Sequence, residues 1–201
     1  RDAELVARVY AGYEAVKRDR GVIDFEDVLL LTAGMIEDDL SMAATVRSQY
    51  RCLLVDEYQD VSPIQQRLLD LWLADSDDLT VVGDANQTIY SFAGATPTYL
   101  LDFRRRFPQA EVVRLERSYR STPQVVATAN RLLASAPGAD PATTVELKAQ
   151  GPAGPDPTWL VADDEAAEVA AVVRQVKSLV DAGVDQREIA ILYRINAQSV
   201  A

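Results

Sequence analysis

The chain has 201 residues, of which 48% are apolar and 25% charged. That length suits one large or two small domains, able to bury roughly 70% of their unfolded surface. Its 20 Lys+Arg against 31 Asp+Glu give a net charge of −11, which excludes a protein held to nucleic acid by bulk positive charge but leaves room for a local basic groove. No apolar run reaches the roughly 18 residues of a membrane span, and the charged stretch from Arg1 to Arg20 lacks a signal-peptide core. With one cysteine, Cys52, and no histidine, a disulfide framework and a His-based zinc site are both excluded. The composition reads as soluble, reduced and cytoplasmic, with no membrane partner.

Leu5, Val6, Val9, Tyr10, Tyr13 and Val16 recur at helical spacing, so Asp2 to Asp19 is expected as an amphipathic helix with these residues inward. Gly21 stops it. A second helix is expected from an N-cap at Asp24, with Phe25, Val28, Leu29 and Leu31 inward and Asp38-Asp39 closing it. Cys52 to Val55 reads as a buried strand running into Asp56-Glu57. Pro63 opens a helix with Ile64, Leu68, Leu71 and Trp72 on one face, and Leu79 to Val82 is a second buried strand, ending at Gly83-Asp84. Further on, the pattern predicts a helix from Pro97 to Phe107, a strand from Glu111 to Leu115 and a helix from Pro123 to Ala134. Between Ala136 and Pro157 lie five of the nine prolines and three of the nine glycines, the composition of a surface loop or linker. A strand at Trp159 to Val161, a helix from Asp163 to Val180 (Val169, Val172, Val173 and Val176 inward) and a strand at Ile189 to Leu192 complete the order. Apolar strands alternating with helices predict an α/β fold with a parallel sheet covered on both faces. Ligands of such sheets sit beyond the carboxyl ends of the strands, where the polar clusters of this chain fall.

Three tracts carry chemistry. Asp56-Glu57 ends a strand: one carboxylate there can hold Mg²⁺ through water and its neighbour can activate an attacking water, although such a pair is more often a solvated strand end. In Gly83-Asp84-Ala85-Asn86-Gln87-Thr88-Ile89-Tyr90-Ser91-Phe92, Gln87 can orient a water or a phosphate oxygen. Tyr90 and Phe92 either offer faces to nucleic-acid bases or fill a core. In Arg117-Ser118-Tyr119-Arg120-Ser121-Thr122, Arg120 is either a charge clamp on a transferring phosphoryl group or a surface arginine.

Together, Asp56-Glu57-Tyr58-Gln59-Asp60, Gly83 to Tyr90 and Arg117 to Thr122 resemble motifs II, III and IV of the UvrD/PcrA/Rep-type superfamily 1 DNA helicases, in the same order. Ile23-Asp24-Phe25-Glu26-Asp27-Val28-Leu29 is similar to the family's segment upstream of motif II. Ile189 to Ser199 resembles the stretch before its mobile insertion domain. The resemblance implies RecA-like parallel sheets with helices on both faces, the P-loop NTPase fold, present here as incomplete parts of two RecA-like domains. Residues 1–20 would end the helical 1B subdomain, 21–116 form the later half of domain 1A, and 117–201 the first half of domain 2A.

It also implies ATP and Mg²⁺ as cofactors. Asp56 would hold the metal and Glu57 would be the general base; Gln87 would sense the γ-phosphate, Tyr119 stack on adenine, and Arg120 contact the γ-phosphate. Tyr90, Phe92 and Phe25, with Arg194 and Asn196, would meet DNA. The implied function is 3′-to-5′ translocation on single-stranded DNA and unwinding of partly duplex DNA in repair or replication, with other repair proteins as further partners. A RecB/AddA-type helicase–nuclease motor and a non-catalytic repair scaffold are the rival readings.

Two departures stand out. Ala93 occupies a position where the family usually carries arginine. Lys17, Lys148 and Lys177 are the only lysines and none follows glycine, so no G-x-x-x-x-G-K-[ST] loop exists in these 201 residues. The chain therefore reads as an internal fragment of a longer helicase and, alone, as a poor ATPase.

Overall fold

The computed structural model describes residues 3–136 and 144–195, which divide into two compact units. The first comprises residues 1–116 with 133–146, the second 117–132 with 147–201.

In the first unit, α1 (Ala3–Arg20), α2 (Phe25–Asp38) and α3 (Leu40–Gln49) precede β1 (Leu53–Val55). Then come α4 (Pro63–Leu73), β2 (Leu79–Val81) and the short helices α5 (Thr98–Leu101) and α6 (Phe103–Arg106). Asp24 caps α2 as its position predicts. Its carboxylate accepts from the Asp27 N–H while Asp27 accepts from the Asp24 N–H, a reciprocal capping box. Ser62 and Gln65 form the same device ahead of α4, whose first residue is Pro63.

The inward faces differ from expectation in two helices. On α1, Leu5, Val6, Val9, Tyr10, Tyr13 and Val16 are all exposed, and the buried residue is Lys17, 7% accessible. Its ammonium pairs with Glu14, Asp24 and Asp27 at 2.8, 3.0 and 2.7 Å. The helix is thus tied to the start of α2 by charge, while its apolar stripe stays open. On α2, Phe25, Val28 and Leu31 are exposed, and Ala33 and Ile36 are buried instead. They join Ala43 of α3 and Leu68 of α4 in a core flanked by Leu29, Val46, Ile64, Leu71 and Trp72. Because α2 is apolar on more than one side, periodicity alone did not choose the face; packing against α3 and α4 did. Helix α3 was not expected. Asp39 closes α2, its N–H donating to the Met35 carbonyl, and also caps α3, its carboxylate accepting from the Ser41 and Met42 N–H groups.

Strands β1 and β2 pair in parallel, Leu53 with Leu79, Leu54 with Thr80 and Val55 with Val81. Leu53, Val55, Leu79 and Val81 pack on a second core of Tyr58, Val61 and Leu69, with Tyr99, Leu100 and Phe103 around it. Leu54 points from the opposite face and is 74% exposed, so that face stays open. The helix expected over Pro97 to Phe107 breaks at Asp102, whose carboxylate accepts from the Arg105 guanidinium. The break turns Phe103 edge-on to Tyr58, ring centroids 5.9 Å apart.

The second unit holds β3 (Arg117–Ser118), most of α7 (Pro123–Ser135), β4 (Lys148–Ala149) and α8 (Glu165–Asp181). Strand β4 falls inside the stretch expected to be loop and pairs in parallel with β3. Asn130 holds Leu147 through both its N–H and its carbonyl. Gly154 passes so close to Thr122 that a Cβ would lie 2.6 Å from its Cγ2, a close approach that glycine permits. Val169, Val172 and Val176 are half-buried on α8, while Val173 is exposed. The strands expected at Glu111 to Leu115, Trp159 to Val161 and Ile189 to Leu192 do not form; Val113, Leu115, Trp159, Val161 and Leu192 are exposed. A strand needs a ladder partner, and among the described residues none pairs with these runs.

The acid-side stability of the first unit follows from its charge cluster. The Asp27 backbone N–H first, then the Tyr13 hydroxyl and the Lys17 ammonium, hold the Asp24 carboxyl well below its ordinary value; Lys17 and the Asp24 N–H lower Asp27. Lowered carboxyl groups stabilise the fold above their unfolded pKa of about 4 and lose that contribution as pH falls through the folded values. Thermal melts from about pH 5 down to pH 2 are expected to show a flatter acid decline for Asp24→Asn than for the unaltered chain.

Candidate functional site

The carboxyl end of the β1–β2 pair carries the site. Pairing continues past the strands: the Val82 N–H donates to the Val55 carbonyl at 2.8 Å, and the Tyr58 N–H to the Val82 carbonyl at 2.9 Å. Asp56-Glu57 and Gly83-Asp84 therefore lie side by side. Glu57 takes the left-handed conformation (φ 51°), at a cost of about 1–2 kcal/mol for a residue with a Cβ. The chain thereby turns at once into the 3₁₀ turn Tyr58–Asp60. The Glu57 N–H donates to Asp56 Oδ1 at 2.9 Å, and both carboxylates are exposed.

Gln87 belongs to the same hydrogen-bonded set. Its amide donates to Asp84 Oδ2 at 3.0 Å, while Asp84 Oδ1 accepts from the Asn86 N–H. The link back to Glu57 is Gln59, a residue without an expected role. Its Nε2 donates to Glu57 Oε2 at 2.7 Å and its Oε1 accepts from the Asp84 N–H at 3.0 Å. The signal was present in the tract Asp-Glu-Tyr-Gln-Asp, but an amide two residues past a carboxylate announces no partner across a sheet.

Tyr58 anchors the turn from beneath. Burial pushes its phenol up, keeping it a donor to Gln66 Oε1 at 2.7 Å. Gln66 donates to Asp70 at 2.6 Å, and Asp70 pairs with Arg106 at 2.7 Å.

The aromatic candidates sit on the surface. Phe92 is 85% and Phe25 92% exposed; Tyr90 is exposed too, its ring 6.0 Å from that of Phe92 and tilted by 53°. Neither Phe92 nor Phe25 fills a core. In the second unit, Tyr119 and Arg120 follow β3 directly and both are exposed. Arg194 is exposed; Asn196 lies outside the described residues.

The sequence that builds this site matches helicase family models over nearly the whole chain. Residues 1–108 match the UvrD/REP helicase N-terminal domain and residues 113–201 the UvrD-like helicase C-terminal domain. The chain belongs to the UvrD-like helicase family. Its parallel strands and flanking helices are accordingly pieces of the RecA-like P-loop fold. Among its relatives is the ATP-dependent DNA helicase UvrD2 of Mycobacterium tuberculosis, 56% identical over 98% of this chain and 29% of the relative. The ATP-dependent DNA helicase PcrA of Leuconostoc citreum is 32% identical over 98% of this chain and 26% of its own length. The chain thus spans under a third of the length of these relatives. Among the described residues no helix is long and apolar enough to cross a membrane.

The three carboxylates that converge elsewhere, those of Glu14, Asp24 and Asp27, each already pair with the one ammonium of Lys17. Asp56 and Glu57 are different: hard oxygen donors, exposed, at a strand end, with one Asp56 oxygen engaged by the backbone. That donor set fits a hydrated Mg²⁺.

Removing the Tyr58 hydroxyl isolates a buried acceptor. Tyr58→Phe is expected to cost about 1–3 kcal/mol of stability in urea unfolding, the penalty of leaving Gln66 Oε1 unsatisfied.

Proposed function

We propose that these residues form part of an ATP-dependent DNA helicase of UvrD type, which couples ATP hydrolysis to 3′-to-5′ movement along single-stranded DNA in the cytoplasm, in repair or replication. The observation that carries the reading is the single hydrogen-bonded set Asp56–Glu57–Gln59–Asp84–Gln87 at the carboxyl end of β1 and β2. Family membership and the relatives' names as ATP-dependent DNA helicases support it. In this reading residues 1–20 end subdomain 1B, 21–116 belong to RecA-like domain 1A and 117–201 to domain 2A. One boundary between the two compact units falls between Glu116 and Arg117, which supports the second cut, while residues 133–146 group with the first unit.

Glu57 takes the proton of the water that attacks the γ-phosphorus. Asp56 would hold Mg²⁺, which would supply charge neutralisation to the nucleotide phosphates. Gln87 reports on the γ-phosphate through the turn it shares with Asp84. Tyr119 stacks on adenine and Arg120 stabilises the charge developing on the transferring group, its planar fork suited to two phosphate oxygens. On the DNA side, Phe92, Tyr90 and Phe25 offer exposed faces to bases, with Arg194 and Asn196 near the strand. A chain of net charge −11 holds DNA by such local stacking rather than by a diffuse field.

Two measurements test this in the full-length protein. Glu57→Gln is expected to slow DNA-stimulated ATP hydrolysis by roughly 10²–10⁴-fold while MgATP still binds, since an amide keeps the shape but accepts no proton. Asp56→Asn weakens metal-dependent binding itself. Near-normal turnover by the Glu57 variant would place the base elsewhere.

Phe92→Ala is expected to weaken single-strand affinity by about 1–3 kcal/mol with an unchanged salt slope, because no phosphate contact is lost. Fluorescence anisotropy on a short oligonucleotide across a salt series reads both quantities. Unaltered affinity and unwinding would remove Phe92 from the DNA path.

A further inference from the structure

Gln59 is 1% exposed, one of the two largest fully buried side chains among the described residues, and the hydrolytic roles above do not use it. Its neighbours fix which way the amide points. Glu57 Oε2, 2.7 Å away, can only accept, so it faces the NH₂ group; the Asp84 N–H, 3.0 Å away, can only donate, so it faces the carbonyl. Flipping the amide would break both contacts. The space around it is equally restrictive: a Cβ on Gly83 would lie 2.6 Å from Gln59 Oε1. Glycine at position 83 is what lets the turn after β2 close on this amide.

We propose that Gln59 is the positioning residue of the hydrolytic site, setting the Glu57 carboxylate by reference to the turn that carries Asp84 and Gln87. The inference rests on Glu57 being the general base. By donating to Oε2, Gln59 leaves Oε1 of Glu57 to accept the water proton. The water oxygen then bonds to the γ-phosphorus and the bond to the β,γ-bridging oxygen breaks, its electron pair leaving with ADP. Gln59 neither gains nor loses a proton. Any shift of the Gln87 turn is transmitted by the same amide to the carboxylate, so the base is aligned only when that turn is in place. A misplacement of about 1 Å in such a group is enough to cost up to 10²-fold in rate.

The test is steady-state, DNA-stimulated ATP hydrolysis by the full-length protein, with kcat and KM read separately. Gln59→Ala is expected to lower kcat about tenfold or more with KM for ATP within about twofold, the pattern of a contact that matters only in the transition state. Gln59→Met, close to glutamine in volume, has neither a donor for Glu57 nor an acceptor for the Asp84 N–H, and kcat falls by a similar factor. This variant decides the matter if Gln59→Ala does not fold. Gly83→Ala, which drives a methyl group into Gln59 Oε1, lowers kcat in the unaltered background and adds little to Gln59→Ala, because the two changes break one contact.

A normal kcat in Gln59→Met overturns the proposal, as does a loss expressed only in KM. Losses that multiply in the Gly83→Ala, Gln59→Ala double variant also overturn it, since Gly83 would then act through Leu100 or the Tyr58 N–H. Glu57→Gln run alongside separates the two levels. If it keeps turnover, the general-base assignment fails; if it abolishes turnover while the Gln59 variants stay active, only the positioning role fails.

Discussion

Parallel pairing of two three-residue strands is the constraint on which the site depends. By themselves β1 and β2 are short, and a two-stranded sheet is marginal in water. They are held by a core on one face and by two hydrogen bonds beyond their ends, Val82 to Val55 and Tyr58 to Val82. Those outer bonds set the turn after β1 against the turn after β2, and everything chemical follows from that neighbourhood. The left-handed Glu57, the buried Gln59 and the unbranched backbone of Gly83 are local adjustments that let two chain reversals share one small space.

The site is polar, yet its footing is not simply apolar. Under the turn, Tyr58 reaches into a row of side chains running through Gln66 and Asp70 to Arg106. Each member satisfies the next, so the buried hydroxyl and amide cost little and fix an orientation that a purely aliphatic floor would leave free. Phe103, edge-on to the same ring, completes the seat. The helix break at Asp102 that brings Phe103 there thus contributes to the site without touching it.

Much of this was legible in the sequence. Asp24, Ser62 and Pro63 announced helix starts because capping is local chemistry, read from a few neighbouring residues. The runs ending at Val55 and Val82 were recognisable as strands, and Asp56, Glu57 and Gln87 as polar groups at their ends. What was not legible depended on partners distant in the chain. The stripe from Leu5 to Val16 promised an inward face, but the helix is fastened by Lys17 instead. Glu111 to Leu115 has strand composition without a ladder partner among the described residues. In α2 several apolar faces competed, and only packing against α3 and α4 selected Ala33 and Ile36. The role of Gln59 was illegible for the same reason, since its two partners lie in different turns.

The exposed apolar runs that join no strand among the described residues have a consequence for the chain as a material. Val112 to Leu115, Trp159 to Val161 and Ile191-Leu192 combine β-branched, aromatic and aliphatic side chains with exposure to solvent. Segments of this kind are templates for strand addition by a second molecule. Opposing them is the charge of −11, whose self-repulsion keeps copies apart at low ionic strength and weakens as the screening length shrinks to about 10 Å at 0.1 M salt. The colloidal behaviour of these 201 residues is therefore a contest between sticky edges and shared negative charge, and added salt tips it toward self-association.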